Sequence, residues 1–215
     1  MNIEGKRTRG LAIDLLCQFI ECWIHLILYH RNLYPRDAYI SHSRLSNTVR
    51  FCEVESVRVY VNEFVKSFKF LVLLDKLNSI NLIISNNEKF VIEIPNDVSR
   101  IIFYALPPTH PRSDLDIQTL TAEALRGVLG DFERRVNEGV KPDPDLGRDW
   151  ELSITTKASA PGSEPIDVPR GFDVAGGVQS PESIRFPCKT AEVNNSVVLS
   201  LYTDIPSVDG SYIET

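Results

Sequence analysis

Ile27-Leu28-Tyr29-His30-Arg31-Asn32-Leu33-Tyr34-Pro35 closes a long apolar segment that begins near Leu11. From Leu11 to Leu33 apolar side chains recur on most sides of a helix, and such a helix runs through the middle of a domain, not over its surface. Its polar residues Asp14, Gln18, Glu21 and His25 fall at i, i+4, i+7 and i+11, one narrow stripe. A bilayer span needs about 20 apolar residues free of charge. The stretch therefore predicts the core helix of a soluble, intracellular protein, and Lys6, Arg7 and Arg9 ahead of it do not make it a secretory signal. Pro35 is expected to end the helix and to push Tyr34 toward extended geometry.

Working outward, residues 38–51 read as short strands. Val57, Val61, Phe64, Phe68 and Leu71 mark the buried face of a second helix. Ile80, Leu82 and Ile84, then Phe90, Ile92 and Ile94, alternate on either side of Asn86-Asn87, which predicts a β-hairpin. Both strands carry apolar residues on their second faces too, so helices are expected to cover the hairpin at least in part. Ser113 or Asp114 starts a third helix to about Asn137, with Leu125, Val128, Leu129, Phe132 and Val136 inward. Gly139 and Pro142-Asp143-Pro144 stop it, and Trp150, Leu152 and Ile154 alternate as a further strand. The order predicts an α+β fold, three helices packed on a mainly antiparallel sheet.

The last third differs. Residues 158–183 hold Pro161, Pro165, Pro169 and Pro181 with Gly162, Gly171, Gly176 and Gly177, before strand-like Ile184–Phe186 and Val197–Tyr202. A long irregular segment that returns to strands is the sequence form of a movable flap.

The chain has 215 residues, 43% of them apolar and 24% charged, enough for a packed core and short of wholesale disorder. Its net charge of −6 argues against direct nucleic-acid binding through a broad basic surface. Cys17, Cys22, Cys52 and Cys188 form no CxxC pair, and His25, His30, His42 and His110 stand at no metal-ligand spacing. The expectation is reduced thiols in or near the core, imidazoles that are solvated or structurally bonded, and no metal site. Gly171, Gly176 and Gly177 do not lead a strand into a helix as a phosphate loop does, no serine has nucleophile-elbow glycines, and Asp143 and Asp145 read as a solvated turn. No catalytic residues and no cofactor are predicted.

The pattern Ile-Leu-Tyr-x-Arg-x-x-Tyr-Pro at the end of a buried helix resembles HORMA-domain proteins. Extended back to His25 and Leu26, it resembles the branch that serves as small accessory subunit of translesion DNA polymerase zeta. The likeness runs from about residue 10 to 94 without a gap. It resumes in the third helix and in Lys189-Thr190 with Val197–Tyr202. It implies one HORMA domain over residues 1–215, a core of about 10–157 and a mobile C-terminal safety belt of about 158–215. A HORMA domain does no chemistry and wraps its C-terminus around a partner's peptide.

By the same resemblance Tyr34 and Tyr60 contact the captured peptide. Phe172 is the aromatic nearest to a tryptophan of the branch, which would fall near Arg170. Arg126, beside Leu125, belongs to a homotypic HORMA interface, and Arg185, Ser200, Leu201 and Tyr202 belong to the face for a second partner. On the residues alone, Tyr34 and Tyr60 read equally as packing at a helix end and at the core rim, and Arg126 as a solvated cation. The implied partners are the catalytic subunit of polymerase zeta, the deoxycytidyl-transferase scaffold polymerase and a second HORMA domain, in the nucleus. The spindle checkpoint and the meiotic chromosome axis are the alternative roles. The segments 101–114 and 141–147 are longer than the resemblance predicts, and Ser41-His42-Ser43-Arg44 replaces a more basic run.

Overall fold

The computed structural model describes residues 3–45, 47–84, 88–94, 114–138, 149–156, 183–193 and 196–206. Helix α1 (Ile3–His30) is followed by a 3-10 turn (Arg36–Ala38), a ribbon of β1 (Tyr39–Arg44) and β2 (Asn47–Cys52), and helix α2 (Glu55–Leu73). Then come β3 (Leu77–Ile84), β4 (Lys89–Glu93), helix α3 (Asp114–Glu138), β5 (Trp150–Thr156), β6 (Ser183–Val193) and β7 (Ser196–Pro206).

The core is organised around α1. Phe19, Trp23, Ile24, Ile27 and Leu28 are fully buried, and each contributes about 1.5–3 kcal/mol of transfer free energy. Arg9–His30 is long and apolar enough to cross a membrane, but it passes through the middle of the fold with most of that stretch buried. The polar stripe does not stay solvated along its length. Asp14 is exposed and pairs with Lys69, whereas His25 at the other end is turned inward.

Pro35 does not end α1. Asn32 does, in the left-handed region (φ 52°). Its N–H bonds the Tyr29 carbonyl, and Leu33 N–H reaches back to the Leu28 carbonyl. This Schellman pair satisfies carbonyls that the helix leaves open, and an asparagine adopts the required geometry at little cost. Asp75 (φ 56°) closes α2 in the same way, with its N–H on the Val72 carbonyl and Lys76 N–H on the Leu71 carbonyl. Arg9 adds its guanidinium to the Val72 and Leu73 carbonyls, a cation at a helix C-terminus.

The buried face of α2 is Val57, Val61, Phe64, Phe68, Leu71 and Val72, which contains all five positions expected from periodicity. The inward face of α3 includes Leu125, Val128, Leu129, Phe132 and Val136. Phe132 lies between Trp23 of α1 and Phe90 of β4, so α1, α3 and the sheet meet at one ring.

The main sheet has five strands in the order β5-β3-β4-β7-β6. All its neighbours are antiparallel. The β3–β4 hairpin pairs Ile80 with Ile92 and Leu82 with Phe90. Its expected turn residues, Asn86 and Asn87, lie outside the described residues. Helices meet the face that carries Ile80, Leu82, Phe90 and Ile92. On the opposite face Ser79, Asn81 and Val91 are also buried, yet Val91 does not join the main core cluster. The helices thus cover the hairpin in part, as its apolar second faces predict, through the face that packs on Phe132 of α3. The 158–182 part of the flap lies outside the described residues. The C-terminal strands do rejoin the sheet, with β7 beside β4 and Leu201 opposite Ile92.

One buried ion pair ties three elements together. Arg31, just past α1, makes a bidentate contact with Glu88 (2.8 and 2.6 Å) at the start of the β4 side of the hairpin. Its remaining nitrogen donates to the Val136 carbonyl near the end of α3 (2.9 Å).

Candidate functional site

The sheet ends at β5. Its inner side pairs with β3 through Trp150–Ile84, Leu152–Leu82 and Ile154–Ile80, and among the described residues no strand pairs with its outer side. An open strand edge presents backbone donors and acceptors to another chain. What surrounds this edge decides what it can hold.

Three aromatic side chains converge there. Trp150 opens β5. Its indole N–H donates to the Tyr34 hydroxyl at 3.0 Å. Its ring meets Tyr60 of α2 edge-on, with centroids 5.4 Å apart and planes at 62°. The Tyr60 hydroxyl accepts the backbone N–H of Leu152 at 3.2 Å. Tyr34 and Trp150 are partly buried against the core, while Tyr60 is 42% exposed. Aromatic faces of this kind supply contact area at low entropic cost, and their polar tips stay paired.

Local sequence explains each placement. The Asn32 turn carries the chain off α1, Pro35 disfavours helical geometry at the residue before it, and the Tyr34 hydroxyl meets the start of β5. Tyr60 lies next to buried Val61 on α2, one step off the apolar stripe, so it is directed to the rim. Nothing in the spacing of Trp150, Leu152 and Ile154 marked Trp150 as more than a strand residue. Its role was missed because it follows only from where β5 sits in the sheet. The available signal was a tryptophan at the outset of a strand whose neighbours are polar.

The other expected site residues are dispersed. Arg126 stands exposed on α3 while its neighbour Leu125 is buried. Phe172 lies outside the described residues. Arg185 pairs with Asp204 in the β6–β7 ladder, and Ser200, Leu201 and Tyr202 follow one another along β7 opposite Glu93, Ile92 and Val91. These four are described by backbone register alone.

The described histidines have structural partners. His25 is 2% exposed, stacks on Phe51 (4.4 Å) and accepts the Cys52 N–H on Nδ1 (3.2 Å). Burial lowers its pKa to about 4, with Glu53 opposing and His42 adding to the shift, so its ring is neutral. His30 pairs with Glu133 and His42 with Glu53. His110 lies outside the described residues. Burial pushes the Cys17 and Cys22 thiols up to about 12, which makes them poor nucleophiles. Among the described residues, no three His, Cys, Asp or Glu side chains gather as a metal would require.

An α1-centred core of three helices and a five-stranded antiparallel sheet with its C-terminal strands docked beside the hairpin define the HORMA fold. Solved structures with this fold superpose over nearly the whole chain. A chain of the mitotic checkpoint complex matches with TM-score 0.66 at 12% identity, covering 90% of this chain and 98% of that one. C. elegans HTP-2 bound to the HIM-3 closure motif matches with TM-score 0.61 at 10% identity, over 91% of this chain and 90% of that one. C. elegans HTP-1 bound to HTP-3 motif-1 gives TM-score 0.61 at 11% identity, over 90% and 89%. In sequence, the chain is 29% identical over 120 residues to the mitotic spindle assembly checkpoint protein MAD2B of Danio rerio. That match spans 55% of this chain and about half (54%) of the relative. No family model matches the chain.

Proposed function

We propose that this chain is a non-catalytic adaptor that captures an extended peptide of a partner along β5. The carrying observation is the convergence of Tyr34, Trp150 and Tyr60 on a strand edge that no described strand pairs with. A strand added there gains main-chain hydrogen bonds from β5 and side-chain contacts from the aromatic group. Residues 158–215 then close over it, and the partner is held topologically, so affinity is expressed mainly as slow dissociation. The similarity to HTP-2 and HTP-1, each solved bound to the HIM-3 closure motif, supports this mode.

We assign the partner to translesion synthesis. The His25–Pro35 stretch and the Lys189–Tyr202 ending support a role as the accessory subunit of polymerase zeta in the nucleus, with its catalytic subunit captured by β5. The deoxycytidyl-transferase scaffold polymerase is assigned to the strands bearing Arg185, Ser200, Leu201 and Tyr202, and Arg126 to a homotypic contact. Spindle-checkpoint service is the second reading, favoured by the names of MAD2B and of the mitotic checkpoint complex.

Peptides tiling the polymerase zeta catalytic subunit, and others tiling spindle-checkpoint proteins, separate these readings. Slowly dissociating retention of a polymerase segment supports the assignment. Retention of checkpoint segments alone transfers it to the second reading, and retention of none defeats peptide capture.

A further inference from the structure

The edge of β5 that no described strand pairs with is already partly occupied by a side chain of the protein itself. In an antiparallel ladder successive residues alternate between directing their N–H groups to the neighbouring strand and away from it. Leu152 N–H is given to the Tyr60 hydroxyl, so it faces the side of β5 away from β3. Tyr60 belongs to α2, not to the sheet. Its oxygen sits 3.2 Å from the Leu152 nitrogen, at the distance a backbone carbonyl of an added strand would take.

We propose that the Tyr60 hydroxyl is a stand-in for the captured strand: it holds the Leu152 donor and must yield it when a peptide pairs with β5. This rests on the capture reading above. One N–H does not serve two acceptors with good geometry in both, so the phenol must move aside as the peptide carbonyl arrives. Trp150 makes the occupied state well defined. Its ring lies 5.4 Å from that of Tyr60, and its own N–H is anchored on Tyr34. The ring of Tyr60 and its oxygen therefore act in opposite directions. The ring offers contact area to a captured peptide, while the oxygen competes with that peptide. Before capture the same oxygen blunts the edge, which would otherwise be a template for unwanted strand pairing.

The experiment compares the full-length chain with Tyr60→Phe and Tyr60→Ala. Amide exchange at Leu152 is followed by NMR, with Ile80 and Leu82 as internal references. Binding kinetics use a synthetic peptide selected on the wild-type chain from a displayed random library. Loss of one neutral hydrogen bond predicts Leu152 exchange about three- to tenfold faster in Tyr60→Phe, with the reference amides unchanged. The peptide should associate with Tyr60→Phe about three- to tenfold faster than with wild type, and bind Tyr60→Ala more weakly than either. Unchanged Leu152 exchange, or a Tyr60→Phe protein that binds as poorly as Tyr60→Ala, overturns the stand-in role. A selection that yields no peptide counts against capture itself, and the exchange rate still decides whether Tyr60 guards the edge.

Discussion

The Tyr34 hydroxyl accepts the Trp150 indole N–H across 116 residues of sequence. That bond fastens the loop after the central helix to the first residue of the edge strand. It fixes the tryptophan ring against which Tyr60 rests. A change at any of the three is expected to disturb the other two, which gives the site a signature beyond simple loss of area.

Trp150→Phe keeps an apolar ring but loses the donor to Tyr34. Peptide capture should weaken by about 1 kcal/mol, the size of a single neutral hydrogen bond. Combining it with Tyr34→Phe should cost little more than either change alone. A double-mutant cycle by calorimetry checks this, and full additivity would mean that the bond does not matter to binding.

Tyr60→Ala removes the most exposed ring of the group. Capture should weaken by about 1–3 kcal/mol, as at aromatic hot spots, while the protein still melts cooperatively. Titration of parent and mutant with the same peptide checks it, and equal affinities would return Tyr60 to a packing role.

A chain ending before Ala158 lacks β6 and β7 and everything between β5 and them. It should lose slow peptide dissociation. Surface plasmon resonance on the shortened and full chains tests this, and an unchanged off-rate would exclude wrapping. Because β7 pairs with β4 in the full chain, a stability measurement on the same sample is needed beside the kinetics.

Arg31→Ala should be strongly destabilising, by about 3–5 kcal/mol, because it leaves Glu88 as a buried charge without its bidentate cation. It also strips a donor from the Val136 carbonyl. Chemical denaturation gives the number. Arg31→Met with Glu88→Leu, which removes both charges, should recover much of it.

His25 makes stability depend on pH with a definite sign. Its folded pKa, about 4, lies below the ordinary 6.5 because burial disfavours the charged ring. The unfolded chain therefore binds the proton first. The contribution is intact above about pH 6.5, declines as pH falls, and is lost by about pH 4, on the order of 3 kcal/mol in all. Glu21 acts the other way: burial raises its folded pKa, so its contribution declines as pH rises above the unfolded value. Denaturation from pH 4 to 7.5 on the parent and on His25→Asn isolates the histidine. Equal slopes in the two would contradict the assignment.

The elements themselves were legible in the sequence. Val57 to Leu71 on α2, Leu125 to Val136 on α3 and the alternation of Ile80 to Ile94 each record a local period. A period reports which face of one element meets the core. The Ile27–Pro35 stretch carried the family likeness for the same reason, since one buried helix and the turn after it are contiguous in the chain. End-points were less legible. Pro35 was the visible breaker, but the backbone turns earlier, at Asn32, because an asparagine tolerates a positive φ that lets two orphan helix carbonyls be bonded.

Tertiary structure alone decided the site. Sequence placed Tyr34 and Tyr60 near a captured peptide only through resemblance, and gave Trp150 no role. The three meet because β5 pairs with β3 on one side and with no described strand on the other, while β7 joins the sheet beside β4. Strand order is a matter of which distant segments close on one another, and no local period encodes it. The same holds for His25, whose place on the polar stripe left its surroundings open until β2 packed on α1 and supplied Phe51 and the Cys52 N–H. Composition and periodicity fix what a segment can bury. Only the packed chain fixes which of its donors and edges remain to be filled.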